Sequence, residues 1–114
     1  MSLKAVNRQV EGVTVVDLNG RIVLGEATTT LRELLQNLVG QGQKKILLNL
    51  SDVSYIDSSG LGALVSGYTT LTGQSGQLKL LNLTKKVQDL LQITKLLTVF
   101  EVFSDEATAV GSFK

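Results

Sequence analysis

The sequence predicts an α/β fold: a mixed, mostly parallel β-sheet with an initial antiparallel hairpin, packed by about four α-helices, in one domain over residues 1–114. Three observations carry that expectation. Apolar runs of strand character alternate with stretches whose apolar residues recur at helical spacing, and parallel neighbours need such helical crossovers. Glycine and small polar residues punctuate the chain, with no linker, repeat or low-complexity tract between them. An Asn19-Gly20 pair after the first β-branched run is a two-residue hairpin signal, which adds antiparallel strands to the parallel set.

Val13 to Leu18 is the first β-branched run, and a short apolar piece, Ile22 to Leu24, follows Asn19-Gly20. Thr28 to Thr30 offer helix N-caps, with Glu33 three residues after Thr30 in a capping-box arrangement. Leu31, Leu34, Leu35, Leu38 and Val39 then share one helical face, and Gly40 and Gly42 are placed to end it. Lys45 to Leu50 is a nearly continuous apolar run, the pattern of a strand covered on both faces. A polar turn leads to Tyr55-Ile56. Asp57-Ser58-Ser59-Gly60 then opens a second helical pattern, with Leu61, Leu64, Val65, Tyr68 and Leu71 on one face and Gly73 to Gly76 as its break. Leu78 to Leu83 reads as another strand. Thr84 is an N-cap candidate for a third helix, whose inner face is Val87, Leu90 and Leu91. Leu97 to Phe103 is a final β-like segment, and Ser104 or Asp105 can cap a closing helix through Ala107 and Val110.

Composition narrows the chemistry. The chain is 43% hydrophobic and 18% charged, which is too apolar for intrinsic disorder. It contains no His and no Cys, so the usual neutral-pH base, the thiolate nucleophile and the common zinc and iron–sulfur ligands are all missing. A net charge of +1, with no basic run longer than Lys44-Lys45 or Lys85-Lys86, leaves no electrostatic footprint for nucleic acid. No apolar run approaches the ~20 residues of a membrane span, and Met1 to Arg8 has no leader-like stretch, so a cytoplasmic protein is expected. Gly62 and Gly67 have the spacing of a phosphate-binding loop, but Tyr68 stands where Lys is required. The dinucleotide pattern fails at Val65, after Gly60 and Gly62. Asp52 and Asp57 are separated by a strand-like segment and have no metal-ligand spacing. No catalytic residue, metal or cofactor is expected.

Tyr55 to Gly62 differs from the rest. Two hydroxyls and a carboxylate stand where a strand hands over to a helix, the end of an open sheet at which binding sites concentrate. A helix N-terminus there favours a phosphate. Asp57 or Ser58 could equally be an ordinary N-cap. Gly60, Ala63 and Gly67 then form a stripe of minimal side chains. Glycine inside a helix costs ~1 kcal/mol relative to alanine, so the stripe implies close approach, either of the helix to its own sheet or of a partner to the helix.

Asp57-Ser58-Ser59-Gly60-Leu61-Gly62, preceded by Leu47 to Leu50 and Val53 to Ile56, closely resembles the signature of STAS domains of the bacterial anti-sigma-factor antagonist type. The similarity extends along the chain: Gly12 to Gly20 looks like the family's early hairpin, Gly76 to Leu83 like its following strand, and Val87 to Leu97 like the helix leading to its last strand. The resemblance implies a single STAS-like domain acting as a protein-interaction switch. Its phosphorylation site would be Ser58, directly after the motif Asp, with Ser59 as the alternative acceptor. Asp57, Ser58, Ser59, Gly60, Leu61 and Gly62 would contact the partner. The implied partners are an anti-sigma factor that is itself a serine kinase, bound only by the unphosphorylated form, and a serine phosphatase that resets the switch. A monomer or weak dimer is compatible with this role. The chain departs from the family at Val23, where many antagonists carry an acidic residue close to the phosphorylated serine; this bears on kinase or nucleotide contact, and Glu26 is the next acidic residue. A ligand-binding or scaffold STAS module of a sensory or transport complex is the alternative function, and a serine hydrolase at Asp57/Ser58 is a third.

Overall fold

Val10 and Val13 face each other across Glu11-Gly12, whose φ values of 50° and 84° make a two-residue turn between the first two strands. Both turn positions of such a primed turn need positive φ, which glycine at the second supplies without strain. The strands it joins are β1 (Lys4–Val10) and β2 (Val13–Ile22), paired antiparallel. β3 (Lys45–Ile56), β4 (Gln77–Leu81) and β5 (Val102–Phe103) add in parallel, so the sheet runs β1-β2-β3-β4-β5. The computed structural model describes residues 3–113; Met1 and Ser2 of the N-terminal stretch, and Lys114, lie outside the described residues.

Asn19-Gly20 is therefore not the hairpin. β2 continues through it, because Ile22 is fully buried and pairs with Ile56, which a turn at Gly20 would prevent. Gly20, at φ 128°, instead takes up a register shift against β3. The polar stretch after Leu50 likewise stays extended, and β3 is one strand up to Ile56.

The crossovers are α1 (Glu26–Gly40), α2 (Ser58–Gly73) and α3 (Lys85–Ile93), and α4 (Glu106–Gly111) follows β5. α1 starts one turn earlier than the threonine caps suggest. Its N-cap is Gly25, at φ 113° and without a side-chain bond, while Thr28 is buried and its hydroxyl donates to the Gly25 carbonyl at 3.0 Å. Thr84 and Asp105 cap α3 and α4. Most of Leu97 to Phe103 is not strand: a 3-10 turn at Leu96–Thr98 drops Phe100 into the core, edge-on to Tyr68, and only two residues pair with β4.

The main core lies between one sheet face and α1 to α3, with Val16, Leu18, Ile46, Leu48 and Leu50 facing Leu31, Leu35, Leu64 and Leu91. Strand alternation sends Val13, Val15, Leu47 and Leu81 to the other face, where Ala109, Val110 and Phe113 cover them. Two polar links hold α4 there. Arg8 forks onto Asp17 at 2.6 and 3.0 Å and onto Glu106 at 2.6 and 3.1 Å. Buried Lys79 donates to the Ser112 carbonyl at 2.9 Å and its hydroxyl at 3.0 Å, and pairs with Glu101 at 3.1 Å.

Candidate functional site

β3 ends at Ile56 and α2 begins at Ser58, so a single residue, Asp57, makes the strand-to-helix corner. Its extended backbone (φ −103°, ψ −176°) turns the carboxylate back over the first helical turn. Oδ1 accepts from the Gly60 N–H at 2.9 Å, satisfying a helix-end donor. Oδ2 reaches the β2–α1 connection and accepts from the Leu24 N–H at 3.0 Å. The Asp57 N–H donates to the Ile22 carbonyl at 3.2 Å, so the corner is fastened to the end of β2 twice. The Gly60 N–H above all, and then that of Leu24, hold the Asp57 carboxyl below the ordinary carboxylate range. A carboxylate so stabilised as an anion is a poor base, and its oxygens are already engaged.

The six motif residues divide by exposure. Ser58 and Gly62 are exposed, Asp57 and Ser59 half-buried, and Gly60 and Leu61 buried. Gly60 is buried because the helix enters directly on top of β2: a Cβ there would meet the Ile22 carbonyl and lie 2.6 Å from Ile56 Cγ1. Gly67 faces Leu35 equally closely, at 2.5 Å, and Ala63 is fully buried. The small-residue stripe thus seats α2 against β2 and α1, within the domain's own core. Gly62 lies off that stripe, and the nearest atom to a Cβ there would be Arg32 Nη2 of α1, at 3.9 Å.

Apolar side chains stand exposed beside the corner. Leu24, suspended from Asp57 by its N–H, is 77% exposed, and Tyr55 is 42% exposed. The Arg21 guanidinium stands 5.4 Å from the Tyr55 ring centroid, on the residue paired with it across β2 and β3. Tyr55 also lines a shallow depression with Lys86, Asp89, Leu90 and Ile93 of α3, the last 77% exposed. Sequence reasoning placed Tyr55 in the distinctive segment but did not single out Leu24, Arg21 or Ile93 as site residues, although Ile93 does fall off the Val87–Leu90–Leu91 stripe. Val23 is half-buried and Glu26 is exposed in the first turn of α1, two residues beyond Leu24. Among the described residues no three acidic side chains converge as a metal site requires, and no helix is long and apolar enough to cross a membrane.

Comparison with known proteins agrees with this architecture. The family model for the STAS domain matches residues 4–109. The anti-sigma-B factor antagonist of Bacillus subtilis is 35% identical over 102 residues, covering 90% of this chain and 92% of that protein. The crystal structure of tm1081 from Thermotoga maritima superposes with a TM-score of 0.89 at 24% identity, over 96% of this chain and 93% of that one. The Bacillus cell fate determinant SpoIIAA, in its phosphorylated form, superposes at 0.75 with 21% identity, over 97% of this chain and 100% of that one.

Proposed function

The chain belongs to the STAS-domain family, among relatives of the bacterial anti-sigma-factor antagonists, and on that premise we propose that it is a phosphorylation-controlled antagonist acting in the cytoplasm. Unphosphorylated, it binds an anti-sigma factor that is a serine kinase; phosphorylated on Ser58, it lets that partner go, and a serine phosphatase restores it. Its role is to bind and be modified. One observation carries the reading: Ser58 presents an exposed hydroxyl on the first turn of α2, beside a carboxylate already committed to holding the corner.

The switch follows from where the charge goes. Phosphorylation adds about −1.5 to −2 charges next to Asp57, moving the formal charge from +1 to about −1. In the isolated domain the α2 N-terminus offsets much of that charge, and Ser58 is solvated, so the fold tolerates it. Against a partner the same charge must be desolvated beside a carboxylate. A loss of ~3 kcal/mol weakens binding by more than a hundredfold. The docking face comprises Asp57, Ser58, Ser59 and Gly62, with Gly60 and Leu61 shaping it from beneath and Leu24 and Tyr55 as apolar anchors beside it.

Titration calorimetry against the cognate anti-sigma factor tests this. Wild type and Ser58→Ala are expected to bind alike, and Ser58→Asp or genuine phosphoserine to bind at least a hundredfold more weakly. Equal binding by all forms overturns the reading. Mass spectrometry after incubation with that kinase and ATP is expected to place the label on Ser58; label solely on Ser59 contradicts the assignment.

A further inference from the structure

Arg32, exposed on α1, makes no ion pair among the described residues. Along α1 the residues three and four positions away are Thr28, Thr29, Leu35 and Gln36, none acidic. The ion pairs among the described residues use Arg8, Lys79 and Lys85, and none uses Arg32. Its guanidinium leans across onto α2: Nη2 is the nearest atom to a Cβ at Gly62, at 3.9 Å, and a larger side chain there would crowd it. With Gln36, Ser66 and Thr70 it walls a cleft between the two helices. Ser58 stands four residues before Gly62 on the same helix, a spacing that puts the two Cβ positions about 6 Å apart. A phosphoryl group on Ser58 extends several ångströms further from its Cβ. Arg32 is exposed and carries its guanidinium on a long rotatable stem, as bridging from Gly62 towards Ser58 requires.

We infer that Arg32 is the internal counter-charge of the phosphorylated state, forming a charge-assisted pair with phosphoserine 58 that holds the phosphoryl group over the α1–α2 cleft. The inference rests on the phosphorylation of Ser58 proposed above, and it concerns how this domain accommodates that charge. The chemistry suits the residue: guanidinium binds phosphate bidentately and remains protonated throughout the physiological range. The pair opposes the repulsion from Asp57, the carboxylate on the same turn, and ties α1 to α2 in the phosphorylated form alone.

The test needs no kinase. Phosphoserine is installed at position 58 by genetic-code expansion in the full chain, in wild type, Arg32→Gln and Arg32→Lys. In the 1H–15N spectrum of the wild type the Arg32 Nε–H resonance is expected to move on phosphorylation, while that of Arg8 stays in place. Arg32→Gln is expected to lower the melting temperature of the phosphorylated form by about 3 °C more than that of the unphosphorylated form, the scale of one exposed ion pair in a domain of this size. Arg32→Lys should recover most of that difference. An unmoved Arg32 resonance, or a phosphorylation effect on melting that is equal in all three chains, overturns the inference. Failure of the switch itself would be read separately, as retained anti-sigma binding by these same phosphorylated chains.

Discussion

Replacing Gly60 by alanine measures how closely α2 is seated on β2. The added methyl would run into the Ile22 carbonyl and stand 2.6 Å from Ile56 Cγ1 and 2.9 Å from Ile22 Cγ2. That carbonyl also accepts the Asp57 N–H at 3.2 Å, so it cannot swing aside without breaking the corner. Overpacking against backbone falls at the upper end of the usual range, about 3 kcal/mol. Alanine returns about 1 kcal/mol of helix propensity, leaving a net loss of about 2 kcal/mol. In a domain of this size the melting temperature falls by about 8–10 °C. Gly62→Ala is the control two positions along. Its methyl comes no closer than 3.9 Å to Arg32 Nη2, so only the propensity gain remains, about 1 kcal/mol of stabilisation and about 4 °C. Urea titration followed by circular dichroism, with a thermal scan of each variant, reads both. Opposite signs are expected at these neighbouring glycines. If both variants shift the same way, or Gly60→Ala is as stable as wild type, the close seating of α2 is wrong.

Asp57→Asn keeps a competent N-cap but gives up one acceptor oxygen, so the Leu24 amide is expected to exchange about tenfold faster while the α2 amides stay protected; unchanged exchange at Leu24 would show that Oδ2 does not hold the loop. Acid stability follows from the same groups. The folded-state pKa values of Asp17, Asp57 and Glu106 are all depressed, Asp17 and Glu106 chiefly by Arg8 and Asp57 by the Gly60 N–H. A depressed carboxylate stabilises fully above its unfolded pKa, and that contribution is lost as pH falls through the folded value. Urea midpoints should therefore be level from about pH 8 to 5 and fall below about pH 4, less steeply in Asp57→Asn; identical acid slopes would remove Asp57 from the account. Arg8→Ala leaves Asp17 and Glu106 facing each other and is expected to cost about 1 kcal/mol, since the pair is partly solvated, and to speed hydrogen exchange in α4 selectively. Uniform exchange changes across the sheet would argue against a local tether.

Much of the fold was legible because its signals are local. The helical spacing of Leu31, Leu35 and Leu38, the β-branched and leucine runs, and caps such as Thr84 and Asp105 act within a few residues, and each appears where expected. Expectations failed where a distant partner outweighed the local preference. Asn19-Gly20 has strong turn chemistry, yet burial of Ile22 opposite Ile56 keeps β2 straight, and Glu11-Gly12 takes the turn. Leu97 to Phe103 has strand composition, but Phe100 is worth more in the core against Tyr68 than in a ladder at the sheet edge.

At the site, the order of residues by itself determined that a strand would pass through Asp57 into a helix whose first turn carries two serines, because the capping preference of aspartate and the helical spacing of Leu61, Leu64 and Leu71 are properties of a short segment. It also determined what the chain lacks, His and Cys above all. Only the tertiary structure decided what the small-residue stripe is for. Gly60, Ala63 and Gly67 are spaced alike whether a partner or the core lies over them, and the choice depends on Ile22 and Leu35, which reach them from β2 and α1. It likewise decided that Asp57 binds Leu24, that Leu24 and Tyr55 stand exposed beside Ser58, and that Arg32 leans on Gly62. These are contacts between segments about 30 residues apart or exposures that such contacts leave behind, and helical or strand periodicity has no term for them.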